Sequence, residues 1–164
     1  MTFSNRASRA LLALRIALGA VFVYAAWVKL HTPWQLFAGA VGDYKILPAW
    51  AVNPLARSLP WAELAIGLLL IAGIFLRAAA AASSLLLLVF FGLMVRAYAF
   101  HMEIACGCFG PGELISWRTL LRDGTLLAVS LAVTWMSFVG RTSWSAFFPR
   151  RPPARRQTGR SAPL

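Results

Sequence analysis

The sequence predicts an all-α membrane protein, a bundle of four transmembrane helices with both chain ends in the cytoplasm. Three observations support this fold class. Of the 164 residues, 60% are hydrophobic and only 13% are charged, a balance typical of a chain whose main solvent is lipid. Four apolar stretches each approach the roughly 20 residues needed to cross the hydrocarbon core of a bilayer. Basic residues flank these stretches unevenly, which orients a membrane protein.

The four predicted helices form one transmembrane domain over residues 10–139. They cover about residues 10–28, 59–76, 78–100 and 119–139. Pro60 suits the first turn of the second helix, and the short link to the third helix predicts a tight antiparallel hairpin. Continuous apolar runs without alternation argue against a β-barrel. The first run also has the form of a cleaved signal peptide, but its length and the Trp27–Lys29 flank favour a retained helix.

The positive-inside rule sets the predicted orientation. Six basic residues and all five acids fall on one side of the membrane, and ten basic residues fall on the other. These ten are Arg6, Arg9, Arg15, Arg77, Arg141, Arg150, Arg151, Arg155, Arg156 and Arg160. We therefore expect the N-terminal residues 1–9 and a disordered basic tail over 140–164 in the cytoplasm, and external loops over 31–58 and 101–118. In a bacterium this describes a multi-pass protein of the inner membrane.

The net charge of +11 does not predict a nucleic-acid partner. The basic residues flank apolar runs and form no stripe beside aromatic platforms, so they indicate membrane orientation. The partner that this charge predicts is the lipid bilayer, with the Pro- and Arg-rich tail held near anionic lipid. The loop over 31–58 has Trp34 and Trp50 among apolar residues, and we expect a partly helical lid at the membrane interface.

Two cysteines, Cys106 and Cys108, are separated by Gly107 in the second external loop. On the oxidising face of a bacterial membrane such residues form disulfides. A disulfide across one intervening residue departs from relaxed geometry, and strained, exposed disulfides suit exchange better than bracing. The closed loop is so short that it would add little stability. We therefore predict a redox pair, with Cys106, nearer the helix end, as the first candidate for attack by a partner thiol.

Two alternatives stay open for this pair. In the first, the disulfide is structural, and the protein is a non-enzymatic assembly factor that docks an exported protein. In the second, the protein handles or transports metal, since His101, Glu103, Cys106 and Cys108 offer a mixed set of ligands for zinc or copper. The spacing of these four residues matches no recognised zinc motif, so the redox pair is the preferred interpretation.

Glu63 lies near the outer end of the second predicted helix. A carboxylate inside a membrane usually marks a transport pathway, a proton relay or a buried ion pair. We therefore predict either a proton relay that serves the cysteines or a structural pair with Lys29 or Arg96. Arg122 and Asp123 come at the top of the fourth predicted helix, where an acid is favoured by the positive end of the helix. We interpret them as a helix-start device.

Four short stretches occur in an order that resembles one family. They are Tyr44 to Pro48, Leu59 to Glu63, Cys106 to Gly110, and Leu121 to Asp123. With these stretches, over roughly residues 15–138, the chain resembles the methylamine-utilisation MauE family, a branch of the broader DoxX-like four-helix membrane proteins. The Cys-Gly-Cys-Phe-Gly sequence is the most specific part of the resemblance, because apolar helices alone are common.

The resemblance implies a redox-associated inner-membrane protein that works with a thioredoxin-like periplasmic partner. Its family role is the maturation of an exported client protein, as for the disulfide-rich small subunit of methylamine dehydrogenase. The resemblance carries over to Cys106 and Cys108 as the redox pair of a thiol–disulfide oxidoreductase, and to Glu63. It does not identify the client, since many relatives lie outside methylamine pathways. A membrane quinone could serve as the electron acceptor, although no sequence feature requires a cofactor.

Overall fold

The computed structural model describes residues 2–102, 104–107 and 113–139, with side chains from residue 9 onward. Within these residues the chain forms five helices, α1 (Thr2–His31), α2 (Trp34–Asp43), α3 (Ala49–Ala72), α4 (Leu76–Ala99) and α5 (Trp117–Val139). The tail expected over residues 140–164 lies outside the described residues. The described part is therefore helical throughout, apart from short connections.

Three of the described helices are long and apolar enough to cross a membrane, namely Arg9–His31 within α1, α3 and α4. The chain is therefore an all-helical, multi-pass membrane protein. No strand occurs in the part of the chain that the structure describes, where Ala105 and Leu114 form an isolated antiparallel bridge. Helix α5, which carries the charged residues Arg118, Arg122 and Asp123 near its start, is not one of these three.

The four long helices form a bundle in which α3 packs against α1 and α4, and α5 packs against the same two helices. The short helix α2 packs against α1 and α3. One end of the bundle holds the α3–α4 connection at residues 73–75 and is called here the turn end. The opposite end, called here the Cys106 end, holds the connections before α3 and between α4 and α5.

Helix α3 differs from the second helix predicted from the sequence. It begins at Ala49 instead of residue 59 and ends at Ala72 instead of residue 76. Pro54 and Pro60 both lie inside it. A membrane helix tolerates proline because neighbouring groups compensate for the lost backbone hydrogen bond, so Pro60 does not mark the start. The loop expected over residues 31–58 is correspondingly short, because α2 and the first turns of α3 occupy most of it.

The turn end closes with a glycine. Gly73 has a φ of +73°, and its N–H donates to the Leu69 carbonyl over 2.8 Å. This left-handed conformation is the common glycine ending of a helix. The Arg15 guanidinium of α1 also donates to the Ile71 carbonyl over 3.4 Å, and a cation at the C-terminal end of a helix is favourable. These contacts end α3 before the predicted residue 76.

The helix contacts are made by small and hydroxyl-bearing residues. Between α1 and α3, a Cβ atom on Gly67 would lie 2.8 Å from the Gly19 carbonyl oxygen, so the two backbones touch. Between α4 and α5, four hydroxyls, called here the serine cluster, bond to one another at 2.8–2.9 Å: Ser83, Ser84, Ser130 and Thr134. Both devices are typical of helix packing in membranes, where apolar side chains give no preference for protein over lipid.

Candidate functional site

The charged groups of the candidate site meet at the Cys106 end. Lys29 is near the end of α1, and Glu63 lies about four turns from the start of α3. Asp123 is in the second turn of α5, and Cys106 lies in the connection between α4 and α5. All four residues are at least 90% buried. A buried polar cluster of this kind is expensive in a membrane and is usually functional.

Glu63 forms an ion pair with Lys29. The Lys29 Nζ lies 2.8 Å from both Glu63 carboxylate oxygens, and the two side chains are only 4% and 7% exposed. Arg96, the other predicted partner, instead donates to the Tyr44 carbonyl over 3.3 Å. Phe37 of α2 covers the pair, with its ring centroid 5.4 Å from the Lys29 Nζ. Helix α2 therefore packs against the cation of the pair through Phe37.

Cys106 is turned into the bundle. Cys106 is 2% exposed, and its sulfur lies 3.6 Å from the Met94 Sδ and 3.8 Å from the Asp123 Oδ2. The Cys106 N–H donates to the Glu113 carbonyl over 2.7 Å, beside the bridge between residues 105 and 114. The pairing of residues 104–106 with residues 113–115 is called here the fold-back. It holds Cys106 against Met94 of α4 and Asp123 of α5.

Gly107 makes the backbone turn directly after Cys106. Its φ is +68°, in the left-handed region that favours glycine. A Cβ atom on this residue would lie 3.4 Å from the Phe37 ring and 3.5 Å from the Ala40 Cβ. The glycine therefore serves both the turn and the close approach of α2. The second cysteine, Cys108, follows it and lies outside the described residues, as does Glu103.

Asp123 is a site residue that the sequence analysis misinterpreted. The helix start is instead made by Ser116 and Thr119, whose side chains accept hydrogen bonds from each other's backbone N–H over 3.4 and 2.8 Å. This reciprocal arrangement caps the helix. Asp123, one turn further on, points inward, and its Oδ1 accepts from the Arg122 Nε over 3.0 Å. An acid within an apolar span, the signal used for Glu63, would have identified it.

Arg122 joins Asp123 to the fold-back. Its NH1 group lies 2.8 Å from the Glu113 Oε1, while its Nε binds Asp123. The same Glu113 accepts the backbone N–H of Cys106. One guanidinium therefore holds both the carboxylate beside the sulfur and the fold-back that carries the sulfur.

Two cavities flank these groups. The inner cavity, about 50 Å³, is lined by apolar side chains together with Lys29, Glu63 and Asp123. This volume has room for a few waters, and the charged groups would supply their partners. The outer cleft, about 300 Å³, lies between α1, α2 and the backbone of residues 105 and 107, with Asp43 at its edge. Glu63 and Asp123 therefore line one cavity, and Cys106 lies beside Asp123.

The metal alternative gains no ligand set from the described part of the chain. Within residues 2–102, 104–107 and 113–139, no group of three or more His, Cys, Asp or Glu side chains could hold a metal ion. His101 is exposed at the turn that ends α4, with a φ of +51°. Cys106 is buried against α4 and α5, and the two other expected ligands, Glu103 and Cys108, lie outside the described residues.

Comparison with known proteins gives one consistent family. A family profile described as methylamine utilisation protein MauE matches residues 7–136. The chain is 36% identical over 124 residues to MauE of Paracoccus denitrificans and 40% identical over 126 residues to MauE of Paracoccus versutus. It is also 31% identical over 103 residues to MauE of Methylorubrum extorquens.

The family profile covers α2, α3 and α4 and most of α1 and α5. The alignments cover 74% and 73% of this chain, but 66% and 65% of the length of the two Paracoccus proteins, just under two thirds. No solved structure matches the chain. Because the family profile runs from α1 to near the end of α5, through the ion pair, Cys106 and Asp123, the chain belongs to the MauE family of methylamine utilisation proteins.

Proposed function

We propose that this protein exchanges disulfides through Cys106 and Cys108 with a thioredoxin-like protein outside the cytoplasm. The exchange would support the maturation of an exported protein used in methylamine metabolism. The observation that carries the proposal is the setting of Cys106, a buried sulfur 3.8 Å from a carboxylate oxygen in a membrane protein. A structural disulfide needs no such acid–base partner. Membership of the MauE family supports the methylamine context.

The proposed topology places this site on the outer face of the inner membrane. The ten basic residues on the side of the chain ends, against six on the other, favour cytoplasmic ends. That orientation needs a fourth crossing, for which α5 is the candidate. Its 23 residues span about 34 Å at 1.5 Å per residue, enough to cross a bilayer. Of its early charges, Arg122 pairs with Asp123 and with Glu113, which lowers the cost of these two charges in such a position.

The burial of Cys106 supports a division of roles between the cysteines, opposite to the sequence-based expectation. An attacking thiolate must approach the disulfide sulfur directly, and the Cys106 sulfur is enclosed by α4 and α5. We therefore propose Cys108 as the attacked residue. The partner thiolate forms a bond to the Cys108 sulfur, and the Cys106 sulfur departs with the electron pair of the broken bond. A second partner thiolate then displaces Cys108, so the partner is oxidised and this protein is reduced.

A trapping experiment tests both the function and the roles. We expect Cys106→Ser to accumulate a reducible, higher-mass adduct with a thioredoxin-fold protein in cells. The exchange is reversible, so the Cys108 thiolate of this variant can attack the disulfide of an oxidised partner, and Cys106 is no longer there to displace the partner from Cys108. Cys108→Ser and the double variant should trap nothing, and they serve as matched controls. Non-reducing gels and mass spectrometry identify the adduct. If neither single variant traps a protein and both support client maturation, the exchange function is wrong and the assembly-factor alternative replaces it.

A labelling experiment tests the orientation. In the Cys106→Ser variant the remaining thiol is Cys108, since the chain has two cysteines. A membrane-impermeant thiol reagent should label it in intact, reduced cells to the same extent as in permeabilised cells. Labelling that requires permeabilisation would place the site in the cytoplasm and contradict the proposed topology.

A further inference from the structure

We propose that Asp123 is the acid–base residue of the exchange, giving a proton to the Cys106 sulfur when the disulfide opens and taking it back when the disulfide closes. We further assign the inner cavity, with Glu63 and Lys29 on its wall, as the space through which that proton enters and leaves. The proposal rests on the proposed function, since it requires Cys106 to cycle between disulfide and thiol.

The geometry of Asp123 suits this role. Its Oδ2 lies 3.8 Å from the Cys106 sulfur, while its Oδ1 accepts from the Arg122 Nε over 3.0 Å. One oxygen therefore orients the carboxylate and the other faces the sulfur. Arg122 is itself held by Glu113, whose carbonyl accepts the Cys106 N–H. The same short network thus positions the proton acceptor and the atom that carries the proton.

The proton balance of the exchange requires such a group. When a partner thiolate opens the disulfide, the Cys106 sulfur departs with the bonding electron pair and must gain one proton to become a thiol. When the disulfide re-forms, that proton must leave before the sulfur can attack Cys108, because the thiolate is the nucleophile. A buried thiolate beside an ionised carboxylate would place two negative charges together, which is unfavourable. Moving one proton between Asp123 and Cys106 avoids this state.

The charges around the Asp123–Cys106 pair are balanced when Cys106 carries no charge. The described ionisable side chains there come from all four long helices and the fold-back. They are Lys29 of α1, Glu63 of α3, Arg96 of α4, Glu113 of the fold-back, and Arg122 of α5. Lys29 is paired with Glu63, Arg122 bridges Glu113 and Asp123, and the Arg96 guanidinium is directed to the Tyr44 carbonyl. Three cations therefore accompany three carboxylates, and a Cys106 thiolate would add an uncompensated negative charge unless the pair binds a proton.

The inner cavity provides the route for exchange beyond Asp123. Asp123, Glu63 and Lys29 all line it, among leucine and phenylalanine side chains. Its volume of about 50 Å³ exceeds the 10–15 Å³ that one water requires. A proton held by Asp123 can therefore pass to water in the cavity and to the Glu63 pair. This gives Glu63 the relay role that its position in the membrane suggested, in series with Asp123.

A two-step thiol titration of the purified, reduced full-length protein in detergent tests the proposal. With 5,5′-dithiobis(2-nitrobenzoate), the first thionitrobenzoate is released as Cys108 forms a mixed disulfide, and the second as Cys106 displaces it. We expect the second rate to change little between about pH 6 and 8, because Asp123 accepts the proton. In Asp123→Asn the second step should be slower by about 100-fold at pH 6, and should rise about tenfold per pH unit as hydroxide replaces the internal base.

Two comparisons make the result decisive. Asp43→Asn removes an exposed carboxylate at the same end of the bundle, on the outer cleft, and should keep the wild-type profile. Asp123→Glu, which retains a carboxylate, should keep the shallow pH dependence. A steep wild-type profile, or an Asp123→Asn profile equal to the wild type, overturns the proposal. The wild-type profile decides the question even if Asp123→Asn fails to fold.

The titration separates this proposal from the proposed function, because the probe needs no partner protein. A shallow wild-type pH profile without any adduct in Cys106→Ser cells would support Asp123 as the acid–base residue and contradict exchange with a thioredoxin-like partner. A trapped adduct together with a steep pH profile would support the exchange and contradict the role of Asp123 in it.

Discussion

The two ends of the bundle satisfy buried polar groups in different ways. Toward the turn end, the serine cluster bonds its hydroxyls to one another and to the Ala80 carbonyl. The core around it consists of apolar side chains, most of them leucine and alanine. At the Cys106 end, Lys29, Glu63 and Asp123 face a cavity, and Asp123 also faces a sulfur. The hydroxyls of the serine cluster find their hydrogen-bond partners within the protein. The charged groups at the Cys106 end line a cavity in which they can exchange protons.

This difference between the two ends distinguishes buried polar groups that serve helix packing from buried polar groups that serve chemistry. Neutral hydroxyls in a membrane helix cost little to bury once each finds a neighbour, and they contribute modestly to packing. Charged side chains cost much more, and a well-packed apolar replacement is often at least as stable. The serine cluster is therefore explained by packing alone. The ion pair, the Asp123 carboxylate and the buried sulfur together are not, and their shared position at one end supports a chemical role.

The largest loss of stability is expected when only one residue of the Lys29–Glu63 pair is replaced. Lys29→Met leaves the Glu63 carboxylate buried without its cation, and should reduce the free energy of unfolding by about 3–5 kcal/mol. The double variant Lys29→Met, Glu63→Leu should recover most of that loss, because an apolar pair suits this environment. Unfolding by SDS in mixed micelles measures both changes.

The double variant also sharpens the comparison between the two ends. We expect the double variant to be stable but defective in client maturation, because the inner cavity has lost the charged side chains of Lys29 and Glu63 that carry the proton. Normal maturation in a stable double variant would instead make the ion pair as structural as the serine cluster.

The sequence predicted the parts of this structure that depend on local pattern. The apolar runs located the long helices. For Glu63, a carboxylate inside a membrane, a pair with Lys29 or Arg96 was one of the two predicted roles, and the structure identifies the partner as Lys29. The start of α3 was missed, since Pro54 and Pro60 look like breaks until neighbouring helices are in place. The burial of Cys106 depends on the pairing of residues 105 and 114, which no spacing in the sequence indicates.

Asp123 shows the same limit at the candidate site. With the helix start expected at residue 119, Asp123 was the fifth helical residue, close enough to the start for an acid to be ordinary. The cap formed by Ser116 and Thr119 lets the helix begin at residue 117, two residues or about half a turn earlier. What the sequence could not show is that the Asp123 side chain is buried and faces the Cys106 sulfur. The orientation and the redox partner stay predictions, since both depend on molecules other than this chain.

An intermediate effect is expected at the contact between α1 and α3. A methyl group on Gly67 would meet the Gly19 carbonyl oxygen at 2.8 Å and the Val23 Cγ2 at 2.9 Å. Gly67→Ala should therefore push the helices apart and destabilise the bundle by about 1–3 kcal/mol. Gly92→Ala is the matched control, since a Cβ there meets nothing within 4 Å, and it should be neutral or slightly stabilising. Equal effects of the two substitutions would contradict close backbone packing.

The smallest effect is expected from the serine cluster itself. Ser130 has no exposed surface, and its hydroxyl lies 2.9 Å from that of Ser83 and 2.8 Å from that of Ser84. Both partners have another oxygen within reach, so Ser130→Ala strands neither, and we expect a loss of about 0.6–1.7 kcal/mol in SDS unfolding. Ser137→Ala, whose hydroxyl donates within its own helix to the Val133 carbonyl, should lose less. Client maturation should be normal in both variants. A maturation defect in Ser130→Ala with retained stability would extend the functional polar region into the turn half.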